Sequence, residues 1–549
     1  MALLVAACVA VAGCSGAGRP LLAPGGAGVA DLNTHPRGAV RDGGELRWPL
    51  DSLPANLNVN QVDGATADGA RVVGALLPRL FRAEEDGRLV RDPDFLSSAD
   101  VTSTAPQEIT YRINSRAVWS NGQPITWRDF ESQWKALDGR DPAYRVASTT
   151  GYSDIASVRA GQDNQQVVVT FTRPFAEWRS LFSPLYPIST NSDPVEFNTG
   201  WVRAAPTTAG PFGVDSLDPV RGTVTLGRGK RWWGTPAKLD RIVFQVVDRA
   251  ARPDALADGR LDFYPIGSDP DLLRRAQTIP GVAVRQSPER TYNQLTFNGA
   301  AGAILSDAGL RRAVAHGIDR LDLTRRMIGA ITPDVVVLGN NLYAYGSRDY
   351  RDHSDLLRYD PGEAERELDG LGWTRASDGA VRTRGGIPLR LRLVEPRPNP
   401  VGERIDRVLV DQLARIGVQV VVQPVPLAGA TAAYRRGDFD LAGFAWQNSA
   451  TPFSGSVALY AEPEGADPGQ NYGRIHDPAI DALFAKGLRE LDDTKRAEIG
   501  NRIDRLTWQE VHHLPLYPAT GAYAVRSTLA NFGAPGFADI DYVDAGYLR

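Results

Sequence analysis

The chain has 549 residues, 42% of them hydrophobic and 23% charged, and at roughly 100–200 residues per domain this length predicts more than one folding unit. The 61 basic and 65 acidic residues give a net charge of −4, which argues against nucleic acid as the main partner because phosphate binding needs a concentrated cationic surface. The sequence has no apolar run of about 18 residues, which excludes a polytopic membrane protein.

The first residues are typical of a secretory signal. Residues 1–12 are apolar over a length too short to span a bilayer, and no Lys or Arg precedes them, so either the true start lies upstream or the signal is atypical. Small residues then precede Cys14, in a pattern that resembles the lipobox of bacterial lipoproteins, whose cysteine is acylated. The alternative is a buried N-terminal strand. We expect a signal peptide at 1–13 and a lipidated Gly/Ala/Pro-rich tether at 14–43.

Cysteine usage fits export to an oxidising compartment. Cys8 and Cys14 are the only two cysteines of the sequence. If Cys8 leaves with the signal and Cys14 carries lipid, the mature fold has neither a free thiol nor a disulfide. This excludes zinc sites built from cysteine and thiol catalysis.

The first half of the body predicts a mixed α/β fold. Residues 108–113 and 166–172 have the β-branched content of strands. Between them, Asn121-Gly122 marks a tight turn. Thr126 then precedes Asp129 by three residues, a spacing typical of a capping box, so we predict a helix that starts at Thr126.

The second half predicts a βαβ unit and two further helices. Residues 387–394 and 418–423 are strand-like and flank a helical pattern, so the two strands should lie parallel in one sheet. Apolar spacing predicts three helices: Leu310, Ala313, Val314, Gly317, Ile318 and Leu321 behind Ser306; Ile405, Val408, Leu409, Leu413 and Ile416 closed by Gly417; and Ile480, Leu483, Phe484, Leu488 and Leu491 after Asp477-Pro478.

Motifs of catalysis are missing from the sequence. It contains no H-E-x-x-H and no G-x-S-x-G, and 227–230 (GRGK) lacks the spacing of a phosphate-binding loop. The adjacent His512 and His513 would diverge on a helix, so we interpret them as solvated or capping residues rather than metal ligands. We therefore expect no enzyme, no metal site and no cofactor.

Five collinear groups of residues resemble the family 5 extracellular solute-binding proteins, which serve ABC importers of oligopeptides, dipeptides and nickel. Similarity to the family's W-S-D-G-x-P-x-T-A-x-D signature is the most specific, and the groups run from about residue 44 to the C-terminus. They are 118–130 (VWSNGQPITWRDF); 210–213 (GPFG) with 226–233 (LGRGKRWW); 256–262 (LADGRLD); 291–298 (TYNQLTFN) with 310–320; and 359–361 with Ala364, Tyr434 and 437–440.

The resemblance implies an α/β fold of the bilobed, periplasmic-binding-protein-like clamp (class II), with an extra inserted lobe. Mapped onto this sequence, lobe I comprises 44–75, 186–288 and 514–549, lobe II comprises 76–185, and lobe III comprises 289–513. The ligand of such a clamp is buried between lobes I and III, and the clamp closes by a hinge motion.

The same resemblance predicts the ligand-binding residues. In peptide-binding relatives an aspartate near 438–452 pairs with the free amine of the ligand, and alignment on Gly443-Phe444 puts Gln447 at that position. A neutral glutamine would leave a buried amine uncompensated, which favours a modified or cyclic peptide, a segment held by its backbone, or a non-peptide solute. The predicted ligand-binding residues are Asn58, Asn60, Gln61, Tyr292, Asn293, Phe444, Trp446, Gln447 and Asn448.

The sequence therefore predicts the receptor of an ABC importer, anchored by lipid to the outer face of the bacterial cytoplasmic membrane. It would capture a peptide or peptide-like solute without catalysis, act as a monomer and deliver the solute to permease subunits. Two alternatives remain: a binding lipoprotein without transport, such as a sensor, chaperone or scaffold, and a receptor for a non-peptide ligand such as a metal chelate or haem.

Overall fold

The computed structural model describes residues 30–462 and 468–549. The predicted signal peptide, Cys8, Cys14 and the tether up to residue 29 lie outside the described residues. Within the described ranges, none of the helices combines the length and the apolar character needed to cross a membrane.

The body of the first half begins with a strand and a capped helix. The hydroxyl of Thr66 accepts a hydrogen bond from the amide of Gly69 at 3.0 Å, which satisfies one free amide of the first helical turn. The elements are β1 (Glu45–Leu50) and α1 (Ala67–Gly74).

Residues 76–185 contain a four-stranded antiparallel sheet, ordered β4-β5-β7-β6, with a helix against it. The predicted capping box is confirmed: the Asp129 carboxylate accepts from the Thr126 amide at 2.9 Å, and its other oxygen accepts from Ile188 at 3.0 Å. The elements are β2 (Phe81–Ala83), β3 (Leu89–Arg91), β4 (Leu96–Thr104), β5 (Gln107–Ile113), α2 (Trp127–Leu137), β6 (Ile155–Ala160) and β7 (Gln166–Phe171).

Residues 186–288 complete the sheet that β1 opens, in the order β1-β10-β9-β8. They also add two strands to a second sheet, β11-β20-β12, whose central strand β20 (Ala522–Arg526) comes from the C-terminal residues. β1 and β10 run parallel, and the other pairs in these two sheets are antiparallel. The elements are α3 (Ile188–Asn191), α4 (Pro194–Thr199), β8 (Phe212–Asp218), β9 (Thr223–Arg228), β10 (Arg241–Val246), α5 (Arg252–Ala257), β11 (Phe263–Pro265), α6 (Pro270–Thr278) and β12 (Val282–Gln286).

The next segment builds a five-stranded mixed sheet, ordered β17-β16-β18-β13-β19. The predicted βαβ unit is confirmed, since β16 and β17 pair in parallel on either side of α10. The elements are β13 (Thr291–Phe297), α7 (Ala308–His316), α8 (Arg320–Ile328), α9 (Pro361–Gly370), β14 (Thr383–Arg384), β15 (Ile387–Pro388), β16 (Arg390–Arg397), α10 (Pro400–Arg415), β17 (Gln419–Pro426), α11 (Ala430–Arg436), β18 (Leu441–Gln447), α12 (Pro452–Tyr460), α13 (Pro478–Gly487), α14 (Asp493–Gln509) and β19 (His513–Pro518).

The helix predicted behind Ser306 is in fact two helices. Asp307, not Ser306, caps α7, because its carboxylate accepts from the amide of Gly309. The first helix ends at His316, and Asp319 caps α8. Leu321 consequently leaves the inward stripe and is 40% exposed. The helix predicted after Asp477-Pro478 is confirmed as α13, which Asp477 caps.

The C-terminal residues return to the first half. They contribute β20 (Ala522–Arg526), β21 (Leu529–Ala530) and β22 (Gly546–Tyr547). The end of the chain also pairs with its first described residues, as bridges join Asp31 to Ala534 and Val40 to Leu548.

The hydrophobic core divides largely between two halves of the molecule, and one cluster around Tyr264 of the first half also includes Ile331 of the second. One cluster runs without a break from Trp48 through Tyr111 and Trp178 to Phe244, so the segments predicted as lobes I and II share a core. Separate clusters fill the segment predicted as lobe III, and one of them extends to Tyr517. β19 thus belongs with that half, a few residues beyond the expected boundary at 513.

Two adjacent crossings join the halves. The chain passes from β12 to β13 over 287–290 and from β19 to β20 over 519–521. The crossings are bonded to each other, since Ala519 donates to Thr291 at 2.7 Å and Ser287 to Gly521 at 3.3 Å. Gly521 has φ +52°, and a Cβ there would lie 1.7 Å from the Ser287 carbonyl oxygen. Only glycine fits this approach of the two crossings.

Candidate functional site

A cavity of about 350 Å³ lies where the two halves meet. Its walls come from segments that are far apart in the sequence. The first half contributes 86–90, 176–177, Arg179 and Phe537, the second half contributes 342–344, 347–349, 449–453, Asp493 and 496–497, and Arg290 lies at a crossing between them. Enclosure by both halves is the geometry of a site that opens and closes with their relative motion.

Glu177 joins the halves beside this cavity. Its carboxylate accepts hydrogen bonds from the amides of Phe453 at 3.0 Å and Ser454 at 2.8 Å, and from the Ser454 hydroxyl. Both amides belong to the first turn of α12, where a negative charge is favourable. Glu177 is only 6% exposed, and burial raises its pKa against the lowering effect of the Ser454 bonds. The neighbouring Ala176 amide donates to Leu488 at 2.7 Å.

The predicted residues of β13 and β18 lie together. In the antiparallel register Tyr292 faces Trp446, Asn293 faces Ala445 and Thr291 faces Gln447. The amide of Asn448 extends the ladder by donating to the Arg290 carbonyl at 2.9 Å. This strip therefore leads directly to the cavity wall at Arg290. Within this strip the side chain of Gln447 is exposed, whereas that of Tyr292 is buried.

Phe444 and Trp446 form an aromatic group with Tyr472 and Tyr434, in which Tyr434 is buried and the other three rings are half-buried. The Trp446 and Tyr472 rings stack with centroids 6.0 Å apart, and Phe444 meets Trp446 edge-on at 5.5 Å. Tyr434 lies 5.1 Å from Phe444. Such a group can contact apolar parts of a ligand, and it also holds the end of β18 in place.

The early polar loop makes its hydrogen bonds within the first half. Asn58 and Gln61 are fully buried, and Asn58 donates to the Phe197 carbonyl at 2.8 Å. Gln61 accepts from the Asp63 amide at 2.7 Å, and the carbonyl of Asn60 accepts from Ala147 at 2.8 Å. These bonds fix the loop within the first half.

The interpretation of the two adjacent histidines is wrong. His512 follows the end of α14 and His513 begins β19, so they do not share a helix. Both are buried, and burial lowers the pKa of His512 to about 3 and that of His513 well below its usual range. They are neutral core residues. Among the described residues no group of three His, Cys, Asp or Glu side chains could hold a metal ion.

Comparison with known families decides the classification. The model of the bacterial extracellular solute-binding proteins, family 5, matches residues 92–467. The oligopeptide-binding protein OppA of Mycobacterium tuberculosis is 40% identical over 525 residues, which is 95% of this chain and 88% of OppA. This chain belongs to family 5 of the bacterial extracellular solute-binding proteins.

The chain is also similar to a lipoprotein in sequence and to a solved binding protein in structure. An uncharacterized lipoprotein of Mycobacterium tuberculosis is 27% identical over 538 residues, 89% of this chain and 91% of that protein. The solved structure of the periplasmic EDTA-binding protein EppA superposes with a TM-score of 0.85 at 26% identity, covering 94% of this chain and 98% of EppA. The bilobed α/β fold expected from the family resemblance is confirmed.

Sequence reasoning on the family 5 motifs missed most of the cavity wall. Glu177, Arg179 and Arg290 belong to none of the motif segments. They come together only through the docking of the two halves and the folding of the second. The one available signal was a charged residue directly before the motif at 291–298, namely Arg290.

Proposed function

We propose that this protein is the solute-capturing receptor of an ABC importer and that its solute is a peptide or peptide-like molecule. The observation that carries the proposal is the cavity of about 350 Å³ walled by both halves. The 40% identity to OppA, over most of both chains, supports a peptide. Closure of the halves buries the solute without chemistry, and the closed form is what the permease subunits recognise.

The proposed location is the outer face of the cytoplasmic membrane, with Cys14 as the acylated residue. The lipobox pattern before Cys14 and the similarity to a mycobacterial lipoprotein support it. The proposed clamp moves as two bodies, with the joint core of lobes I and II on one side and lobe III on the other. The predicted monomer is consistent with a clamp whose two sides come from one chain.

The clamp is tested by adding a mixture of free-amine peptides of three to nine residues to the purified protein and measuring small-angle X-ray scattering. We expect the radius of gyration to fall when the peptides saturate the protein. Native mass spectrometry identifies the mass bound, and the peptides should be recovered intact. Binding at saturation with unchanged dimensions contradicts closure, and shortened peptides contradict a receptor without catalysis.

A metal chelate is the second candidate solute. EppA, whose name states that it binds EDTA, superposes over 94% of this chain. Two arginines that line the cavity, Arg179 and Arg290, have no carboxylate at ion-pair distance among the described residues, which suits a polycarboxylate. Titration with Fe(III)-EDTA in parallel with the peptide mixture separates the two candidates, because only the bound class lowers the radius of gyration.

Finding no permease or ATPase genes beside this gene would favour a binding lipoprotein without transport.

Gln447→Asp tests the predicted position of the amine contact. Gln447 is exposed at the end of β18, so the substitution adds a carboxylate without burying it. We expect free-amine peptides to bind about tenfold more tightly, because an ion-paired hydrogen bond replaces a neutral one. N-acetylated peptides should bind the variant and the parent equally. Isothermal titration measures both, and equal affinities of the free-amine peptides for the two proteins would disprove the alignment.

A further inference from the structure

Five arginines line the interlobe cavity, and three of them are neutralised within their own segment. Arg88 lies 3.5 Å from Asp86, Arg348 lies 3.2 Å from Asp349, and Arg496 pairs with Asp493. Arg179 and Arg290 differ from these three. Within the described part of the chain, neither guanidinium has a carboxylate at ion-pair distance.

The acidic groups that act on these two arginines are already engaged elsewhere. Asp539 is the acidic group that acts on Arg290, but it pairs with Arg79 at 3.1 Å and accepts from the Ala83 amide at 2.8 Å. Asp493 acts on Arg179 in the same way and pairs with Arg496. The charges of Arg179 and Arg290 therefore lack a committed counter-ion.

Both guanidinium groups are nevertheless held in place. Arg290 donates to the Phe537 carbonyl, and its own backbone carbonyl is fixed by the Asn448 amide. The guanidinium carbon of Arg179 lies 4.5 Å from the centre of the buried Trp178 ring. Burial lowers the pKa of each arginine, because a charged group that is partly removed from water is less stable when no opposite charge compensates it. Positioned, partly desolvated and unpaired cations are what an anionic ligand group needs.

We propose that Arg179 and Arg290 form a subsite for a carboxylate of the bound solute. Both arginines line the same cavity: Arg179 lies on the first half, and the guanidinium of Arg290 is held against that half by the Phe537 carbonyl, so one anion in the cavity can meet both. The guanidinium fork matches a carboxylate with two parallel hydrogen bonds. The inference rests on the proposed capture of a solute between the halves, and it gives the solute class as one with a free carboxylate, either a peptide C-terminus or a polycarboxylate.

The test compares one peptide as its C-terminal acid and as its C-terminal amide, with EDTA as a carboxylate ligand that is not a peptide. We expect the parent protein to bind the acid about tenfold more tightly than the amide. Arg179→Gln with Arg290→Gln should reduce the ratio of the two affinities to about one. Arg290→Lys should keep part of the preference, because it retains the charge but not the fork.

Arg112→Gln is the matched control, since it removes a charge from the same half of the molecule but outside the cavity, from an arginine that pairs with Asp163 at 2.7 Å. It should leave the ratio near tenfold, and thermal melts should show every variant folded. If peptides bind and the ratio is the same in the parent and the double variant, the subsite is wrong while peptide capture stands. If EDTA alone binds and the double variant loses it, the subsite stands and the peptide is wrong. Binding of neither probe overturns both.

Discussion

Arg320→Met is expected to lower the free energy of unfolding by about 3–5 kcal/mol, the largest loss among the substitutions considered for this fold. Arg320 is buried, and one of its nitrogens donates to the carbonyls of Leu338 at 2.7 Å and Pro515 at 2.9 Å. Its guanidinium also lies 4.9 Å from the centre of the Trp508 ring. Methionine fills similar space but leaves two buried carbonyls without a donor and removes the cation from the ring.

Arg326→Met provides the control on the same helix. Arg326 is exposed and pairs with Asp322 one turn away at 2.9 Å, so its loss should cost no more than about 0.5 kcal/mol. Urea unfolding followed by circular dichroism measures both variants. Equal destabilisation by the two substitutions would contradict a structural role for Arg320 between β19 and the segment at 338.

Glu177→Ala is expected to weaken solute binding by about 30- to 100-fold, equivalent to roughly 2–3 kcal/mol. The carboxylate of Glu177 bridges the halves by accepting from the amides of Phe453 and Ser454. Alanine leaves both amides without an acceptor in the closed contact, while in an open form water would satisfy them. The substitution therefore raises the free energy of the closed form alone. Because the solute binds in the closed form, its affinity falls by the same free energy.

Glu177→Gln should give an intermediate loss, because an amide oxygen can replace one of the two acceptors. Glu131→Ala is the control: Glu131 lies on α2 in the same half and pairs with Lys135 at the surface, at 2.7 Å. Titration of the solute gives the affinities, and scattering gives the fraction that closes. An unchanged affinity in Glu177→Ala, or an equal loss in Glu131→Ala, would show that the Glu177 contact does not stabilise closure.

Local chemistry explains which elements the sequence predicted correctly. Thr126 with Asp129, and Asp477 followed by Pro478, each satisfy the free amides of a helical turn through neighbouring residues, so their helices start where expected. Before α7, the adjacent residues Ser306 and Asp307 could each accept a hydrogen bond from the first free amides of the helix. In the structure Asp307 is the capping residue. The stripe that ends at Leu321 fails because Asp319 starts a second helix, which rotates the face that Leu321 occupies.

The candidate site was predictable only where it follows a single strand pair. The strip around Trp446 and Tyr292 comes from two motifs that pair in the sheet. The cavity wall comes from the docking of one half on the other, and no local pattern encodes which arginine then lacks a partner. The same holds for His512, whose burial depends on Tyr460 and on the end of α14 rather than on its neighbours in the chain.

The pairing of residues 31–40 with the C-terminal residues ties both segments to one half of the molecule. Asp31 bridges to Ala534, and the Arg549 amide donates to the Ala39 carbonyl at 3.3 Å, while Arg285 of β12 donates to Asp31 at 2.9 Å. A tag attached after residue 549 therefore holds the half built around Trp48. For immobilisation on a sensor chip, such a tag leaves the half that carries Trp446 unattached, so a reporter dye belongs on that half.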